Sequence, residues 1–255
     1  MSEASQGMAT LVARQPKRAI GILAVSLVGW VFLAWIAVDM DHPFVQLTMP
    51  DSSSWSAVSV LAIWLMWALM MSAMMLPSAL PMILTFVNLS QRSGERARGS
   101  SFVAAYLVVW FAFSVAATAA QWALQAMGWV NPMIVSTSAL MTGALLLIAG
   151  VYQFSRLKQV CLSRCRTPLG FLLGEWRAGL HGAFVMGVRH GMFCIGCCWA
   201  LMALLFVGGA MNLWIAGLSV AVAIEKLAPR GERLASALGL GLIAAGLVKL
   251  LALAI

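Results

Sequence analysis

The chain has 255 residues, of which 62% are hydrophobic and only 9% are charged, and its formal net charge is +8. Soluble domains carry about 25% charged residues, so this composition excludes an ordinary soluble domain and indicates an all-α, polytopic transmembrane helical bundle. The excess of Lys and Arg is not interpreted as a nucleic-acid-binding surface, because in membrane proteins these residues mark cytoplasmic loops.

The first apolar stretch follows a polar N-terminal segment. Residues 1–18 are predicted to form a cytoplasmic tail and residues 19–255 a single transmembrane domain. Residues 19–38 have about the length that a helix needs to cross a bilayer and lack a small-residue cleavage motif, so they are predicted to form a retained first span. The loop 39–54 has three aspartates and no Lys or Arg, and it is expected outside.

The remaining apolar segments give six to seven spans in all. The second segment contains Pro77 and Pro81, which are expected to end a span after residue 76 and leave a broken continuation to residue 88. Residues 170–189 mix glycines with ionisable residues, and they are predicted to form an interfacial or re-entrant segment before span five. The predicted spans two to seven are 56–76, 101–127, 133–154, 192–211, 213–227 and 234–255.

Loop charge sets the expected orientation. The loops assigned to the inside, residues 91–98, 156–166 and 229–233, are basic, whereas the loops assigned to the outside hold no Lys or Arg. By the positive-inside rule, the N-terminus is expected in the cytoplasm and the C-terminus outside.

Residues 190–202 carry the sharpest chemical signal. Three of the five cysteines lie here, and Cys194, Cys197 and Cys198 follow His190 at spacings of four, seven and eight residues. In a helix these spacings place all four side chains on one face. Thiolate and imidazole are ligands of soft and borderline transition metals, so the four are predicted to be metal ligands. The alternative is that the cysteines are small apolar core residues.

A second pair, Cys161 and Cys165, lies in the basic segment 156–166 and is expected on the same cytoplasmic side. This pair is predicted to form a second metal site or an exchange pair. No cysteine lies in a predicted outer loop, which disfavours the disulfide framework of a secreted protein. Clustered cysteines in a reducing compartment bind metals or do redox chemistry, so a thiol–disulfide couple remains an open alternative.

A methionine stripe occupies the second span. Met66, Met70 and Met74 follow at four-residue intervals, and Met71 and Met75 lie one residue behind. Thioether sulfur prefers Cu(I), so Met71, Met74 and Met75 are predicted to supply ligands or a relay from the outer side. Ordinary core packing by methionine is the alternative.

Two ionisable residues at membrane depth are predicted to tune the charge of the site. A charge in the bilayer costs about 2.5–3.5 kcal/mol on insertion scales, so such residues usually face the bundle interior. Glu225 would neutralise Arg189, orient His190, or act as an oxygen ligand or proton acceptor. The alternative is an end-of-helix carboxylate paired with Lys226.

Several blocks of residues together carry a family resemblance. They are Trp67-x3-Met71-x2-Met74-Met75-Leu76-Pro77, Tyr152-Gln153-x4-Lys158-x2-Cys161-Leu162-x2-Cys165-Arg166-x-Pro168, Gly187-x-Arg189-His190-Gly191-x2-Cys194-x-Gly196-Cys197-Cys198-Trp199-x-Leu201-Met202, and Glu225-Lys226. Over residues of about 60 to 230 the chain resembles the bacterial family described as predicted metal-binding integral membrane proteins of unknown function. The resemblance implies a membrane location and metal binding.

The sequence therefore predicts a multi-pass protein of the bacterial inner (cytoplasmic) membrane that binds a soft metal for metal handling or transport. Copper is the predicted metal, with zinc as the alternative. The expected partners are membrane lipid, the metal ion, and a metallochaperone or partner membrane protein, without nucleic acid.

Two other functions stay open, and both would make the protein an enzyme. The first is a membrane thiol–disulfide oxidoreductase that uses the two cysteine groups. The second is a metal-dependent membrane oxidase, for which the expected His-rich motifs are missing. The absence of a P-loop leaves ATP-driven transport without support.

Overall fold

A computed structural model describes residues 12–51, 54–92, 97–210 and 212–253. Residues 1–11 of the predicted tail (1–18) and residues 93–96 of the predicted loop 91–98 lie outside these ranges. The described residues are helical and contain no strand, which confirms the predicted all-α fold. The helices are α1 (Pro16–Val38), α2 (Pro43–Thr48), α3 (Ala57–Arg92), α4 (Arg98–Ala126), α5 (Ala139–Tyr152), α6 (Arg156–Arg166), α7 (Pro168–Glu175), α8 (Gly179–Ala203), α9 (Leu205–Gly208), α10 (Leu213–Leu227) and α11 (Gly231–Leu251).

Within the described ranges, five helical segments are long and apolar enough to cross a membrane. They are α1, α3, α4, α11 and the segment Gly179–Gly208 that joins α8 and α9. A sixth candidate consists of α5 and α6, which are bent by 63° relative to each other. The predicted fourth and sixth spans are short, because α5 has 14 residues and α10 has 15. These lengths fall below the roughly 20 residues of a straight span.

The two prolines do not break α3, and the prediction of a span that ends after residue 76 is wrong. Pro77 and Pro81 both lie inside a single helix of 36 residues. Proline has no N–H, so Pro77 leaves the carbonyl oxygen of Ala73 without its helical partner. The Ser26 hydroxyl of α1 donates to that oxygen at 2.7 Å. A neighbouring helix thus satisfies the freed backbone group, as it does in membrane bundles that tolerate proline.

The predicted interfacial segment 170–189 is divided between two helices. Its first part belongs to the short helix α7, and its second part forms the first turns of α8. Gly187 lies inside α8 at the contact with α4, where an added Cβ would approach the Phe102 carbonyl oxygen to 2.3 Å. Close approach of the two backbones therefore requires glycine at this position. Since α8 is one helix, His190 and the cysteines after it share the predicted face.

Helices α3 and α4 run antiparallel, as three cross-helix hydrogen bonds establish. Trp55 donates to Gln125 at 3.0 Å, Trp67 donates to Gln121 at 2.8 Å, and the Tyr106 hydroxyl donates to the carbonyl oxygen of residue 75 at 3.3 Å. Residue numbers rise along α3 as they fall along α4. Tyr106, which makes the last of these bonds, also contacts α8 and belongs to the candidate site.

Candidate metal centre

Cys194 lies where α3, α4, α8 and α10 meet. Its side chain is buried, and its Sγ neighbours Lys226 and Tyr106 as well as the Cys165 thiol of α6. The Lys226 ammonium donates to Sγ at 2.9 Å, and the Tyr106 hydroxyl oxygen lies 3.1 Å from it. Burial of a thiol, a phenol and an ammonium in one contact is costly unless each is paired, and here they pair with one another.

Lys226 links this cysteine to the methionine stripe. Its ammonium donates to the Ser78 hydroxyl at 3.2 Å and lies 4.0 Å from Met75 Sδ. Among the predicted thioether ligands, Met75 is thus the one whose sulfur is placed beside the partner of Cys194. Met71 and Met74 are buried in the hydrophobic core of the bundle.

Cys197 and Cys198 follow on the same helix, and both are buried. Their thiols donate to the Cys194 carbonyl oxygen at 3.1 and 3.0 Å, which is the usual contact of a short polar side chain with the preceding helical turn. Cys197 Sγ also lies 4.0 Å from Cys165 Sγ on α6. We call Cys165, Cys194, Cys197 and Cys198 the thiol site.

Helix α6 approaches α8 closely at Gly196. An added Cβ there would lie 2.6 Å from Cys161 Sγ, so this cysteine packs on the bare backbone of α8. The Tyr152 hydroxyl at the end of α5 donates to the Gly196 carbonyl oxygen. The fold therefore places the predicted pair Cys161 and Cys165 against the cysteine group of α8, although both residues precede α8 by more than a dozen positions.

His190 lies one turn before Cys194 and is enclosed by aromatic rings. Its imidazole stacks on Phe102 and Tyr106 at centroid distances of 5.9 and 5.5 Å, and the edge of Phe171 packs against it at 5.7 Å. Within the described part of the chain, neither ring nitrogen has a hydrogen-bond partner. An unpaired buried donor costs about 1–3 kcal/mol, and a buried imidazole with a free nitrogen fits a metal ligand.

Glu225 and Arg189 are not brought together. The Glu225 carboxylate accepts from Lys158 at 2.6 Å and from Gln153 at 2.9 Å, in a buried contact between α10 and the α5–α6 region. Arg189 instead forms a more exposed ion pair with Glu175 on α7. Glu225 therefore neutralises a lysine of α6, and its contact secures α6 beside α10.

Two residues at the centre of the site, Tyr106 and Lys226, were not among the predicted ligands or charge-tuning residues. The only available signal for Lys226 was a cation at the end of an apolar helix, which often marks a functional residue. Tyr106 had no local signal, since it belongs to an ordinary apolar span.

The side chains are not arranged around a metal. Over the described residues, no group of three or more His, Cys, Asp or Glu side chains is placed to hold a metal ion. The geometry gives the reason, because the thiols of Cys197 and Cys198 point to a backbone oxygen and the Lys226 ammonium stands beside Cys194.

Comparison with known proteins identifies the family. Residues 64–249 match the model of the PpoB2 family, which is described as a copper chaperone. No curated protein and no solved structure matches the chain. The matched range contains every predicted ligand. The family description supports the prediction of copper and gives no support to the alternative of zinc. Since the match extends over well more than half of its length, the chain belongs to the PpoB2 copper chaperone family.

Proposed function

We propose that this protein is an integral membrane protein that binds copper(I) at the thiol site and hands it to an acceptor. His190 and Met75 would complete the set of ligands. The observation that carries the proposal is a buried cluster in which thiols of α6 and α8 meet and Lys226 contacts Cys194 Sγ and lies near Met75 Sδ. One turn away, the His190 imidazole has no hydrogen-bond partner in the described chain.

The donor set favours copper(I) over harder ions. Thiolate and thioether sulfur select Cu(I), whereas Mg, Ca and Mn require oxygen ligands. The carboxylates of Glu225 on α10 and Glu175 on α7 are already engaged, Glu225 with Lys158 and Glu175 with Arg189. Buried sulfur therefore dominates the available ligands.

Lys226 gives the copper-free protein a positive charge at the place where the cargo would bind. Its ammonium contacts Cys194 Sγ and lies near Met75 Sδ, and copper(I) carries the same single positive charge. Copper would take the place of the ammonium beside Cys194. The thiols of Cys197 and Cys198 would rotate from the backbone oxygen toward the metal.

The distribution of charge supports copper exchange at the cytoplasmic face. We propose a multi-pass protein of the bacterial inner membrane with a cytoplasmic N-terminus, because the basic segments 91–98, 156–166 and 229–233 would then face the cytoplasm. Helix α6, which contributes Cys165, belongs to one of these basic segments. A cytoplasmic metallochaperone or a partner membrane protein would meet the site there.

A competition titration tests this proposal. Detergent-purified protein is titrated with a chromophoric Cu(I) chelator under reducing conditions. Wild-type protein is expected to withdraw one equivalent of Cu(I), and Cys194→Ser is expected to weaken the affinity by at least about tenfold, or about 1.4 kcal/mol. Met75→Leu is expected to weaken Cu(I) binding. Met66→Leu, on the same helix, is the matched control and is expected to leave Cu(I) binding unchanged. Equal affinity in all four proteins would refute the assignment.

A further inference from the structure

The sulfur atoms of Cys165 and Cys197 meet across the contact between α6 and α8. Their Sγ atoms lie 4.0 Å apart, and 32 positions separate them in the chain. Cys197 is fully buried in α8, whereas Cys165 on α6 is only partly buried. In the copper-free fold, the Cys197 thiol donates to the Cys194 carbonyl oxygen, and the Cys165 thiol contacts the thiols of α8.

We propose that Cys165 and Cys197 form a thiol–disulfide exchange site whose substrate is a small-molecule disulfide. We further infer that the Cys165–Cys197 disulfide and bound copper(I) exclude each other, an inference that rests on the proposed function. Oxidation would then remove two thiols from the copper site.

The geometry favours this pair over pairs within α8. A disulfide needs the two sulfur atoms at about 2.05 Å, so they must approach by about 2 Å, which rotation of the two short side chains supplies. Gly196 allows α6 to lie close enough for this approach. Cys194 Sγ also neighbours the Cys165 thiol, but it is engaged by Lys226 at 2.9 Å and by Tyr106 at 3.1 Å, whereas Cys197 Sγ has no such charged partner among the described residues.

The exchange proceeds in two balanced steps. Cys165, the less buried thiol, gives up its proton and attacks one sulfur of the disulfide RSSR, so that a Cys165–SR bond forms and one RSH leaves with that proton. The Cys197 thiol then gives up its proton and attacks Cys165 Sγ, the Cys165–Cys197 bond forms as the Cys165–SR bond breaks, and a second RSH leaves with that proton. The two cysteines lose two electrons together, and the two sulfurs of RSSR gain them.

Mass spectrometry of the full-length, metal-free protein tests the pairing. The protein in detergent is treated with oxidised glutathione, the remaining thiols are blocked with N-ethylmaleimide, and trypsin is added. Trypsin cleaves after Arg164 and after Arg166, so it separates Cys165 from Cys161. The expected result is a loss of two of the five free thiols and a dipeptide Cys165-Arg166 linked to the peptide that contains Cys197.

Three variants provide the controls. Cys161→Ser changes the neighbouring cysteine of α6 and is expected to keep the cross-link, whereas Cys165→Ser and Cys197→Ser are each expected to abolish it. A cross-link within the 194–198 group, a cross-link through Cys161, or no cross-link in wild-type protein would overturn the assignment.

Mutual exclusion is measured separately. Protein loaded with one equivalent of Cu(I) before oxidation is expected to keep all five thiols, and oxidised protein is expected to lose at least about tenfold in Cu(I) affinity. If the cross-link forms at the same rate with and without copper, the exclusion is refuted. Because copper binding to fully reduced protein is measured on its own, failure of the proposed function is distinguishable from failure of the exchange site.

Discussion

At the scale of single residues, His190 is the most informative side chain in the site. It is buried in an aromatic enclosure, yet neither ring nitrogen has a partner in the described chain. If the residue served only to stabilise the fold, an apolar aromatic side chain would stabilise it more, because an unsatisfied buried N–H costs about 1–3 kcal/mol. We therefore expect the function of His190 to depend on a free ring nitrogen, which can bind a metal ion.

His190→Phe should separate stability from copper binding. The phenyl ring fits the aromatic enclosure and removes the unpaired donor, so the metal-free variant should gain about 1 kcal/mol and unfold at a higher temperature. Its Cu(I) affinity should fall by about tenfold or more. His181→Phe, at an exposed position of the same helix, is the control and should change neither quantity. A His190→Phe variant with lower stability and unchanged Cu(I) affinity would make this histidine structural.

The local spacing of His190 and the three cysteines after it was enough to predict that they share one face of α8. Their helical period is a property of the sequence alone. The contact of Cys194 with Tyr106 could not be predicted in this way, because the residues are 88 positions apart. The same holds for Lys226, whose ammonium reaches Cys194 only because α10 packs beside α8.

At the scale of helices, close packing of α4 against α8 holds Tyr106 beside Cys194. Gly187 makes this packing possible, since any side chain there would collide with the Phe102 backbone. Flexible side-chain atoms could move aside, but a helical backbone cannot. The geometry of the thiol site therefore depends on a glycine that has no chemical role.

Gly187→Ala should lower the free energy of unfolding by about 1–3 kcal/mol, the usual cost of overpacking a core, and should weaken Cu(I) binding with it. Gly217→Ala provides a matched control in α10, because a Cβ there meets no atom within 4 Å. Alanine is the better helix former, so this variant should be as stable as wild type or slightly more stable. Thermal unfolding in detergent checks both, and equal melting temperatures for the two variants would contradict the packing argument.

The prolines of α3 show where sequence reasoning about helices fails. Pro77 removes a backbone donor, and on local grounds it should kink or end the helix. The compensating Ser26 hydroxyl lies on α1, 47 positions before Ala73, whose carbonyl oxygen Pro77 leaves free. A prediction made from one segment could not include that partner, so it ended the span too early.

At the scale of the whole molecule, the candidate site depends on the basic helix α6 being fixed beside the long helices. Lys158 of α6 pairs with Glu225, and the Arg166 guanidinium donates to the carbonyl oxygens of Glu225 and Ala228 at 3.0 and 2.8 Å. These contacts join α6 to the end of α10, while Cys165 faces α8. A buried ion pair is costly to break, so α6 is expected to stay in place during copper exchange.

The overall class of the fold was predictable because composition and span length are strong signals. The relative positions of α6, α8 and α10 were not, since they depend on contacts between distant segments. Cys161 and Cys165 were predicted only as a second site or an exchange pair, and the fold places them against the first group.

X-ray absorption at the copper edge tests the central claim most directly. Full-length protein is purified, loaded with one equivalent of Cu(I) and compared with a variant in which Cys194, Cys197 and Cys198 are all replaced by serine. Wild-type protein should hold close to one copper with sulfur as the dominant neighbour, and the triple variant should lose most of that sulfur signal, because only Cys165 and Met75 remain as sulfur ligands. A first shell of oxygen or nitrogen alone in wild-type protein, or an identical sulfur spectrum in the triple variant, would contradict a copper site built on these cysteines.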